Sequence, residues 1–253
     1  MKITFLGTGT SQGVPVITCS CDICTSSNPK DNRLRTSILI ESEKATVVVD
    51  TGPDFRYQML RAKVKTLSAI VYTHEHKDHT AGLDDIRAFN YSENRKTKIY
   101  AHPRVQQAIR REFSYIFSDV KYPGIPKLEF IDIDKEKFII DDIEMQPIEV
   151  MHYRLPVLGF RIKDFVYITD AKTIDEMEIE KIQNCKILVL NALQIEPHIS
   201  HFTLEEALEM IARIKPETAY LTHISHRLGK HNEISSELPK NVFLAYDGLV
   251  LEI

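Results

Sequence analysis

The residues best suited to chemistry lie in one short stretch, Thr73–Gly82, with the sequence THEHKDHTAG. Four candidate metal ligands fall within six positions of it: His74, His76, Asp78 and His79. In extended chain, side chains at i and i+2 point the same way, so His74 and His76 can share one metal ion. Asp78 and His79 follow the point where the chain turns and can bind a second ion nearby. On a helix the i, i+2 pair would face apart, which argues against a helical zinc site.

Regular elements are predicted on both sides of this stretch. Ser68–Tyr72 is short, apolar and rich in β-branched residues, which is typical of a buried strand. Gly82–Asn90 has apolar residues at helical spacing and predicts a helix. The cluster therefore lies on a strand-to-helix loop, where rigid elements can aim side chains while the backbone bends. So many titratable groups are costly to pack together without a cation.

Composition sets the broad class. The chain has 253 residues, 43% of them hydrophobic and 27% charged, with a net charge of −4. We therefore expect one globular domain over residues 1–253, with no basic field to attract nucleic acid or anionic membrane. Met1–Gly7 reads as a first strand and not as a signal peptide, and no apolar run approaches a membrane span. A cytoplasmic location is the expectation.

A second candidate site is the cysteine cluster. Three of the four cysteines, Cys19, Cys21 and Cys24, crowd into six residues. In a cytosolic protein such a cluster indicates a metal site more than a disulfide. Tetrahedral structural zinc needs four ligands, so the fourth is expected from far along the chain. Three reduced cysteines without metal are the alternative. Cys185 is predicted to be a small buried hydrophobic residue.

Other candidates stand where predicted strands end or a helix begins. Asp50 is the last residue of the predicted strand Ala45–Asp50. Three more candidates follow predicted strands: His152 after Ile143–Val150, Asp170 after Phe165–Thr169, and His223 after Ala219–Thr222. Taken singly, Asp50 can also be a loop cap and His152 an ordinary loop histidine. His201 directly precedes a helix that Thr203 and Glu206 begin with a capping box. A helix N-terminus favours an anion such as a phosphate.

The motif His-x-His-x-Asp-His after a strand resembles the signature of the metallo-β-lactamase-fold hydrolases, and matching pieces recur along nearly the whole chain. The resemblance implies an α/β fold of the αββα sandwich type: two mixed β-sheets packed face to face, with helices on the outer faces. It implies a two-metal site, with one ion on His74, His76 and His152, a second on Asp78, His79 and His223, and Asp170 bridging. Asp50 is then expected to orient the ligating residues without binding metal.

Within that family the chain is most similar to a phosphoribosyl cyclic phosphodiesterase branch. The similarity implies a structural zinc on Cys19, Cys21, Cys24 and His226. A solvated His226 at the start of a helix is the alternative. His201, in a His-x-Thr context, is implied to assist the departing oxygen of a phosphodiester, with His198 or a purely structural role as alternatives. His201 and Asp78 are the predicted catalytic residues.

The implied function is hydrolysis of a small phosphodiester, cyclic or linear, with two zinc or manganese ions at the active site and one structural zinc. The ligand types alone do not choose among zinc, manganese and iron. An RNase Z-like nuclease and an oxidative relative of the pyrroloquinoline quinone type are the rival functions. No membrane or nucleic-acid partner is expected, and a homodimer is a family-based expectation. His198 and His231 receive no firm role.

Three further predictions concern structure. Thr173–Ile182 is predicted as one helix. Asp247-Gly248 is predicted as a hairpin turn between strands at Asn241–Ala245 and Leu249–Ile253. The stretch Ser118–Pro126, which includes Tyr122–Pro126, is the candidate for a loop over the active site, with Tyr91 and Tyr115 as aromatic walls.

Overall fold

In the computed structural model, which describes residues 1–119 and 123–253, the chain forms two β-sheets covered by helices. The strands are β1 Lys2–Gly7, β2 Ser37–Glu41, β3 Thr46–Val49, β4 Ala69–Val71, β5 Thr97–Ala101, β6 Leu128–Asp132, β7 Phe138–Ile140, β8 Ile143–His152, β9 Leu155–Ile162, β10 Phe165–Tyr167, β11 Thr173–Ile174, β12 Ile187–Asn191, β13 Thr218–Thr222, β14 Val242–Leu244 and β15 Val250–Glu252. The helices are α1 Phe55–Ala62, α2 Lys77–Thr80, α3 Arg87–Glu93, α4 Pro103–Glu112, α5 Glu176–Ile182, α6 Leu204–Ile214 and α7 His231–Glu237. Short 3₁₀ helices cover Pro29–Asp31, Leu83–Ile86 and Ser114–Phe117.

Both sheets are mixed. The first has the strand order β15-β1-β2-β3-β4-β5-β6, and the second has the order β11-β8-β9-β10-β12-β13-β14, with β7 paired to β8. Strands β3 to β6 are parallel neighbours, as are β10, β12, β13 and β14. Parallel neighbours end at the same edge of a sheet, so loops that follow them come together there. Asp50, His74, Asp170 and His223 all lie in such loops.

Three apolar layers hold the sandwich together. The middle layer lies between the sheets and includes Val47, Val49 and Phe160. Outer layers pack α1, α3 and α4 against the first sheet, and α5 and α6 against the second. Val48 faces the first outer layer while its two neighbours face the middle layer, and all three valines are fully buried. A strand covered on both faces is apolar at every position, which explains the unbroken valine run.

Two predicted helices are shorter in the structure. Thr173 and Ile174 pair with β8 as strand β11, and the Asp175 side chain then accepts the N–H of Met177 at the start of α5. The predicted helix at Gly82–Asn90 is a 3₁₀ turn followed by α3. In the first case the backbone groups of the two residues bond to a neighbouring strand, so they are not free to begin the helix.

The predicted hairpin at Asp247-Gly248 is wrong. Strand β14 pairs with β13 in the second sheet, whereas β15 pairs with β1 in the first, so the turn carries the chain between the sheets. The Asp247 carboxylate accepts the Thr8 hydroxyl at 2.8 Å and the Leu34 N–H at 2.9 Å. These long-range contacts fix the turn and are invisible in the local sequence.

None of the helices in the described part of the chain has the length and apolar character that a membrane span requires.

Candidate metal centre

The THEHKDH motif leaves β4 as extended chain and then turns into the four-residue helix α2. His74 is fully buried, and its Nε2 atom lies 3.0 Å from Nδ1 of the more exposed His76. His76 is the residue before α2 and keeps an extended backbone. Two imidazole nitrogens this close need a proton or a cation between them. His79, inside α2, points back towards the same space and is also fully buried.

Asp50 lies behind the motif and fixes its orientation. Its carboxylate accepts the N–H of Thr73 at 2.9 Å, the Thr73 hydroxyl at 2.8 Å and Nδ1 of His79 at 2.7 Å. Thr73 in turn contacts Nδ1 of His74 at 2.9 Å. Burial raises the pKa of Asp50, and the nearby His79 opposes that shift. Asp50 therefore leaves Nε2 of His79 free to face the centre, as an orienting carboxylate does for a ligating histidine.

Asp170 lies at the middle of the centre. Its Oδ1 atom is 3.2 Å from Nε2 of His223 and 3.5 Å from Nε2 of His79. Its Oδ2 atom is 3.7 Å from Nε2 of His74 and 3.5 Å from Nε2 of His201. The two oxygens of one buried carboxylate thus face two different groups of imidazoles.

Three residues of the centre have left-handed backbone. Asp50, Asp170 and His223 all have positive φ, at 64°, 53° and 55°. Left-handed backbone is unfavourable for residues other than glycine, and such residues cluster at functional sites. The three residues follow β3, β10 and β13, so the turn at each strand end aims its side chain into the centre.

The second half of the motif joins His223. The Asp78 Oδ2 atom lies 3.2 Å from Nε2 of His79 and 3.7 Å from Nε2 of His223. Ligand atoms of these three residues and of Asp170 all lie within 4.8 Å of one another. This is the second ligand set that the resemblance implies, and the structure brings its members together.

His152 faces the centre from the second sheet. Its Nδ1 atom lies 2.8 Å from the Ser200 carbonyl oxygen, so this nitrogen carries the proton and Nε2 is left as an acceptor. Its ring is 5.1 Å from that of His76, 6.0 Å from that of His74 and 4.4 Å from that of His201. The predicted set of His74, His76 and His152 is therefore together, and the His201 ring lies nearer to His152 than either of the other two rings does.

The ionisable groups of the centre shift one another's pKa. Burial lowers the pKa of His74, and the neighbouring His79 lowers it further. Burial would also lower the pKa of His79, but the Asp170 and Asp78 carboxylates hold it well above its ordinary value. Against the effect of burial, the imidazoles of His79 and His223 hold the pKa of both carboxylates well below their usual range. Ionised carboxylates ringed by imidazoles form the environment in which a divalent cation binds.

Buried histidine nitrogens without a hydrogen-bond partner show whether a metal ion fits this centre. Four buried ring nitrogens make no hydrogen bond to any described residue: Nε2 of His79, Nε2 of His201, and Nδ1 and Nε2 of His223. Buried polar atoms are normally paired, and leaving them unpaired costs about 1–3 kcal/mol each. Imidazole and carboxylate donors suit zinc, manganese and iron. The residues present therefore fit a metal centre.

The cysteine cluster meets the C-terminal histidine as predicted from the resemblance. The Nδ1 atom of His226 lies 3.3 Å from Sγ of Cys19 and 3.4 Å from the sulfurs of Cys21 and Cys24. In a tetrahedral zinc site the nitrogen and each sulfur would be about 3.5 Å apart. A hydrogen bond from the Cys24 N–H lowers the pKa of Cys21 to about 6, whereas burial raises the pKa of Cys24 to about 11. Four soft donors at these spacings fit one zinc ion.

Several histidines lie outside these sets. His102 caps α4 by accepting the N–H of Arg104, which is a structural role. His198 contacts Ser200, and its ring is 5.1 Å from that of His201. His231 lies beside the buried Arg33 guanidinium, 3.2 Å from Nη2, and burial together with that charge lowers its pKa to about 4.

The loop predicted to lie over the active site is Ser118–Pro126, and the structure describes only part of it. Tyr122 lies outside the described residues. Pro123–Pro126 lines a cavity of about 690 Å³ with Tyr91 and Phe117, and none of the predicted metal ligands lines that cavity. Tyr115 bonds to Asp84. Pro123–Pro126 therefore line a cavity other than the one beside His76 and His152.

One contact of the centre had no local signal in the sequence. Arg104 pairs with Glu75 of the motif at 3.0 Å and donates to the Pro156 carbonyl oxygen on β9 at 2.6 Å. It thereby ties the loop that carries His76 to the hairpin that carries His152. Because 29 residues separate Arg104 from Glu75, spacing alone could not pair them.

Comparison with known proteins identifies the superfamily of the chain and a similar solved structure. A family model described as the beta-lactamase superfamily domain matches residues 45–224. A crystal structure of a diphosphatase of the PhnP family has 36% identity and a TM-score of 0.93, covering 100% of this chain and 97% of that one.

Two curated proteins are similar to this chain over part of their own length. An octanoyltransferase of Porphyromonas gingivalis is 38% identical over 252 residues, which are 98% of this chain and 51% of that protein. A ribonuclease Z of Pyrobaculum islandicum is 27% identical over 136 residues, which are 53% of this chain and 42% of that protein. The chain thus spans about half the length, or less, of these curated relatives.

Proposed function

Because the chain belongs to the beta-lactamase superfamily and has the metallo-β-lactamase fold, we propose that it is a metal-dependent hydrolase of small phosphodiesters. The observation that carries this proposal is the position of Asp170. One of its oxygens lies 3.2 Å from Nε2 of His223 and the other 3.7 Å from Nε2 of His74. A carboxylate shared in this way suits two ions, and two-metal sites are typical of phosphoryl chemistry.

Each residue has a distinct task in this proposal. His74, His76 and His152 would hold one ion, Asp78, His79 and His223 the other, and Asp170 both. Two divalent ions there would supply a water of lowered pKa and positive charge for the phosphate oxygens. Asp50 keeps Nε2 of His79 aimed at the centre through its 2.7 Å contact with Nδ1.

His201 is the proposed general acid. It precedes α6, whose N-terminus carries the Thr203–Glu206 capping box and favours an anion. Its Nε2 atom faces Asp170 at 3.5 Å, while Nδ1 lies 3.2 Å from the Ser200 hydroxyl. In the absence of ions, burial and the nearby His223 lower the pKa of His201 to about 2. With that pKa the imidazole is neutral, so for His201 to act as an acid the negative charge of a bound phosphodiester must raise its pKa and place a proton on Nε2 for the departing oxygen.

The relatives narrow the choice without fixing the substrate. The PhnP-family diphosphatase supports cleavage of a phosphate linkage. The octanoyltransferase name belongs to a protein about half of which lies outside the match, so we assign no acyl transfer to this chain. We propose a small molecule as the substrate, in keeping with the net charge of −4.

Metal analysis combined with a model substrate is the direct test. We expect about three metal ions per chain, two at the centre and one at the cysteine site, and hydrolysis of bis(p-nitrophenyl) phosphate that depends on manganese or zinc. A chelator should abolish the hydrolysis, and added metal should restore it. One tightly held zinc and no hydrolysis with any added metal would remove the proposed activity and leave only the cysteine site.

Loss of the cysteine site should cost stability more than chemistry. Cys21→Ser should lower the metal content by one ion per chain and lower Tm, because the zinc links a loop near residue 21 to one near residue 226. By loop-closure entropy, a cross-link over so long a loop is worth roughly 5 kcal/mol, or about 10–20 °C in a domain of this size.

The matched control for this variant is Cys185→Ala. Cys185 is buried in the outer apolar layer of the second sheet, away from the cluster. The Cys185→Ala variant should keep the full metal content. An unchanged metal content in Cys21→Ser would show that the cluster holds no ion.

Cleavage of nucleic acid at the same centre is the second candidate, and the ribonuclease Z similarity favours it. Binding of a polynucleotide depends on phosphate contacts from Lys and Arg and weakens steeply with salt. A small diester and a precursor tRNA should therefore be compared at low and high salt. Salt-insensitive turnover of the small diester alone supports our proposal, whereas salt-dependent cleavage of the tRNA would replace it.

A further inference from the structure

A cavity opens at the surface beside the metal centre. It has a volume of about 450 Å³ and is lined by two predicted ligands, His76 and His152. Its remaining lining comes from Tyr153, Arg154, Leu155, Ile199 and Ser200. We call Tyr153, Arg154 and Ile199 the mouth subsite. Whatever part of a substrate extends from the metal centre in this direction must lie against these side chains.

Tyr153 has an unusual backbone for its residue type. It follows His152 in a two-residue turn between β8 and β9, in which His152 pairs with Leu155. Its φ is 57°, a left-handed value that turns of this kind normally assign to Gly or Asn. Its side chain is 51% exposed, so the tyrosine gains little packing in return. The first residues of the two neighbouring hairpin turns, Asp141 and Lys163, also have positive φ, so the turn itself imposes this backbone. What sets Tyr153 apart is an exposed aromatic ring beside the centre.

Another part of the lining is apolar and held at a fixed position. Ile199 is 65% exposed, which is high for a residue of its type in an ordered loop. The next residue, Ser200, accepts the Nδ1–H of His152 through its carbonyl oxygen at 2.8 Å. The same histidine that precedes Tyr153 therefore anchors the loop that carries Ile199. The two walls keep their relation to each other and to the centre.

Arg154 adds a positive charge at this opening. Its guanidinium carbon lies 5.0 Å from the centre of the Tyr153 ring, in the range of a cation–π contact. The side chain is exposed, so it can also meet an anionic group of a ligand. An aromatic face, an aliphatic face and a guanidinium together suit a planar ring attached to a phosphate.

We infer that the mouth subsite binds the base of a nucleotide whose phosphate lies at the metal centre. The inference rests on the proposed function, and it narrows the substrate class to phosphodiesters or diphosphates with a nucleoside on one side. The base stacks between Tyr153 and Ile199, and Arg154 neutralises phosphate charge. Stacking of a base on an aromatic side chain changes affinity by roughly 5- to 150-fold.

The test compares two ligands that differ only in the base. Dissociation constants of adenosine 5′-monophosphate and ribose 5-phosphate are measured by calorimetry on the metal-loaded full chain. We expect the nucleotide to bind about 10-fold more tightly, as one stacked base predicts. Tyr153→Ala and Ile199→Ala should bring the ratio close to one, whereas Tyr153→Phe should keep it.

Control variants separate stacking from general damage. Tyr91→Ala removes an exposed tyrosine that lines the cavity without predicted ligands, and it should leave the ratio unchanged. Tyr153→Gly should relieve the left-handed strain, so Tm should hold or rise while the ratio is lost. Equal affinities in the unmodified protein, or a ratio that survives Tyr153→Ala, would overturn the inference. A nucleotide preference without any diester hydrolysis would instead retain the subsite and reject the proposed function.

Discussion

Asp170→Asn is expected to lower kcat/KM for a phosphodiester by about 10³- to 10⁵-fold, because a metal centre contributes several kcal/mol to the transition state. The same variant should hold fewer metal ions at the centre. Its expected effect is the largest of any single substitution in this chain, and the reason lies in the position of one carboxylate.

The asparagine is nearly the same size, so packing is preserved and charge is what changes. Asp170 is buried, with Oδ1 towards His79 and His223 and Oδ2 towards His74. The amide has one oxygen in place of two and presents N–H groups to one set of imidazoles. It can neither bridge two cations nor offset their charge, so at least one ion should be lost.

The measurement combines metal analysis with steady-state kinetics at several metal concentrations. Asp164→Asn is the matched control, because Asp164 directly precedes β10 while Asp170 follows it, and its side chain pairs with Lys186 at the surface. That variant should keep the metal content and rate. Two tightly bound ions and a rate within tenfold in Asp170→Asn would contradict the bridging role.

The parts of this molecule that were predictable are those with local causes. The i, i+2 spacing of His74 and His76 and the apolar strand before them indicate a shared ligand position without any structure. The apolar run at Ala45–Asp50 similarly predicts a strand, and the structure forms β3 at Thr46–Val49. The capping box at Thr203 and Glu206 forms as its sequence predicts.

What could not be predicted depends on contacts between distant residues. Asp247-Gly248 looks like a hairpin turn, but the Asp247 carboxylate bonds to Thr8 and Leu34, and the two flanking strands join different sheets. His152 alone would be read as a loop histidine. Only the resemblance to a known family suggested its place, since 72 or more residues separate it from the THEHKDH motif and no spacing rule spans that distance.

Tyr153 shows a third limit. No sequence pattern indicates that a tyrosine will take a left-handed backbone, because the conformation is imposed by the pairing of β8 with β9. The same holds for Asp50, Asp170 and His223, whose strain appears only when the strand ends are assembled. Functional residues here depart from local preference, and local preference is what a sequence reports.

His201→Ala should lower turnover by roughly 10²- to 10⁴-fold for a diester with a poor alkoxide leaving group, because that group needs a proton as it departs. With p-nitrophenolate as the leaving group the loss should be much smaller, since this anion leaves without protonation. The metal content should stay the same. A ligand role for His201, which its 4.4 Å ring distance to His152 also allows, predicts metal loss and an equal deficit on both substrates.

His198→Ala is the matched control, because it removes a neighbouring imidazole that is more exposed and whose ring is 5.1 Å from that of His201. It should keep turnover within about threefold, the range of an exposed side chain that takes no part in the chemistry. If His198→Ala instead loses more turnover on the alkoxide substrate than on the p-nitrophenolate substrate, the proton comes from His198. If neither variant does while metal content is intact, neither histidine is the acid, and the leaving oxygen must then be stabilised by the metal ions alone. Two substrates and two variants thus separate the acid, ligand and structural roles of a histidine that the sequence alone left open.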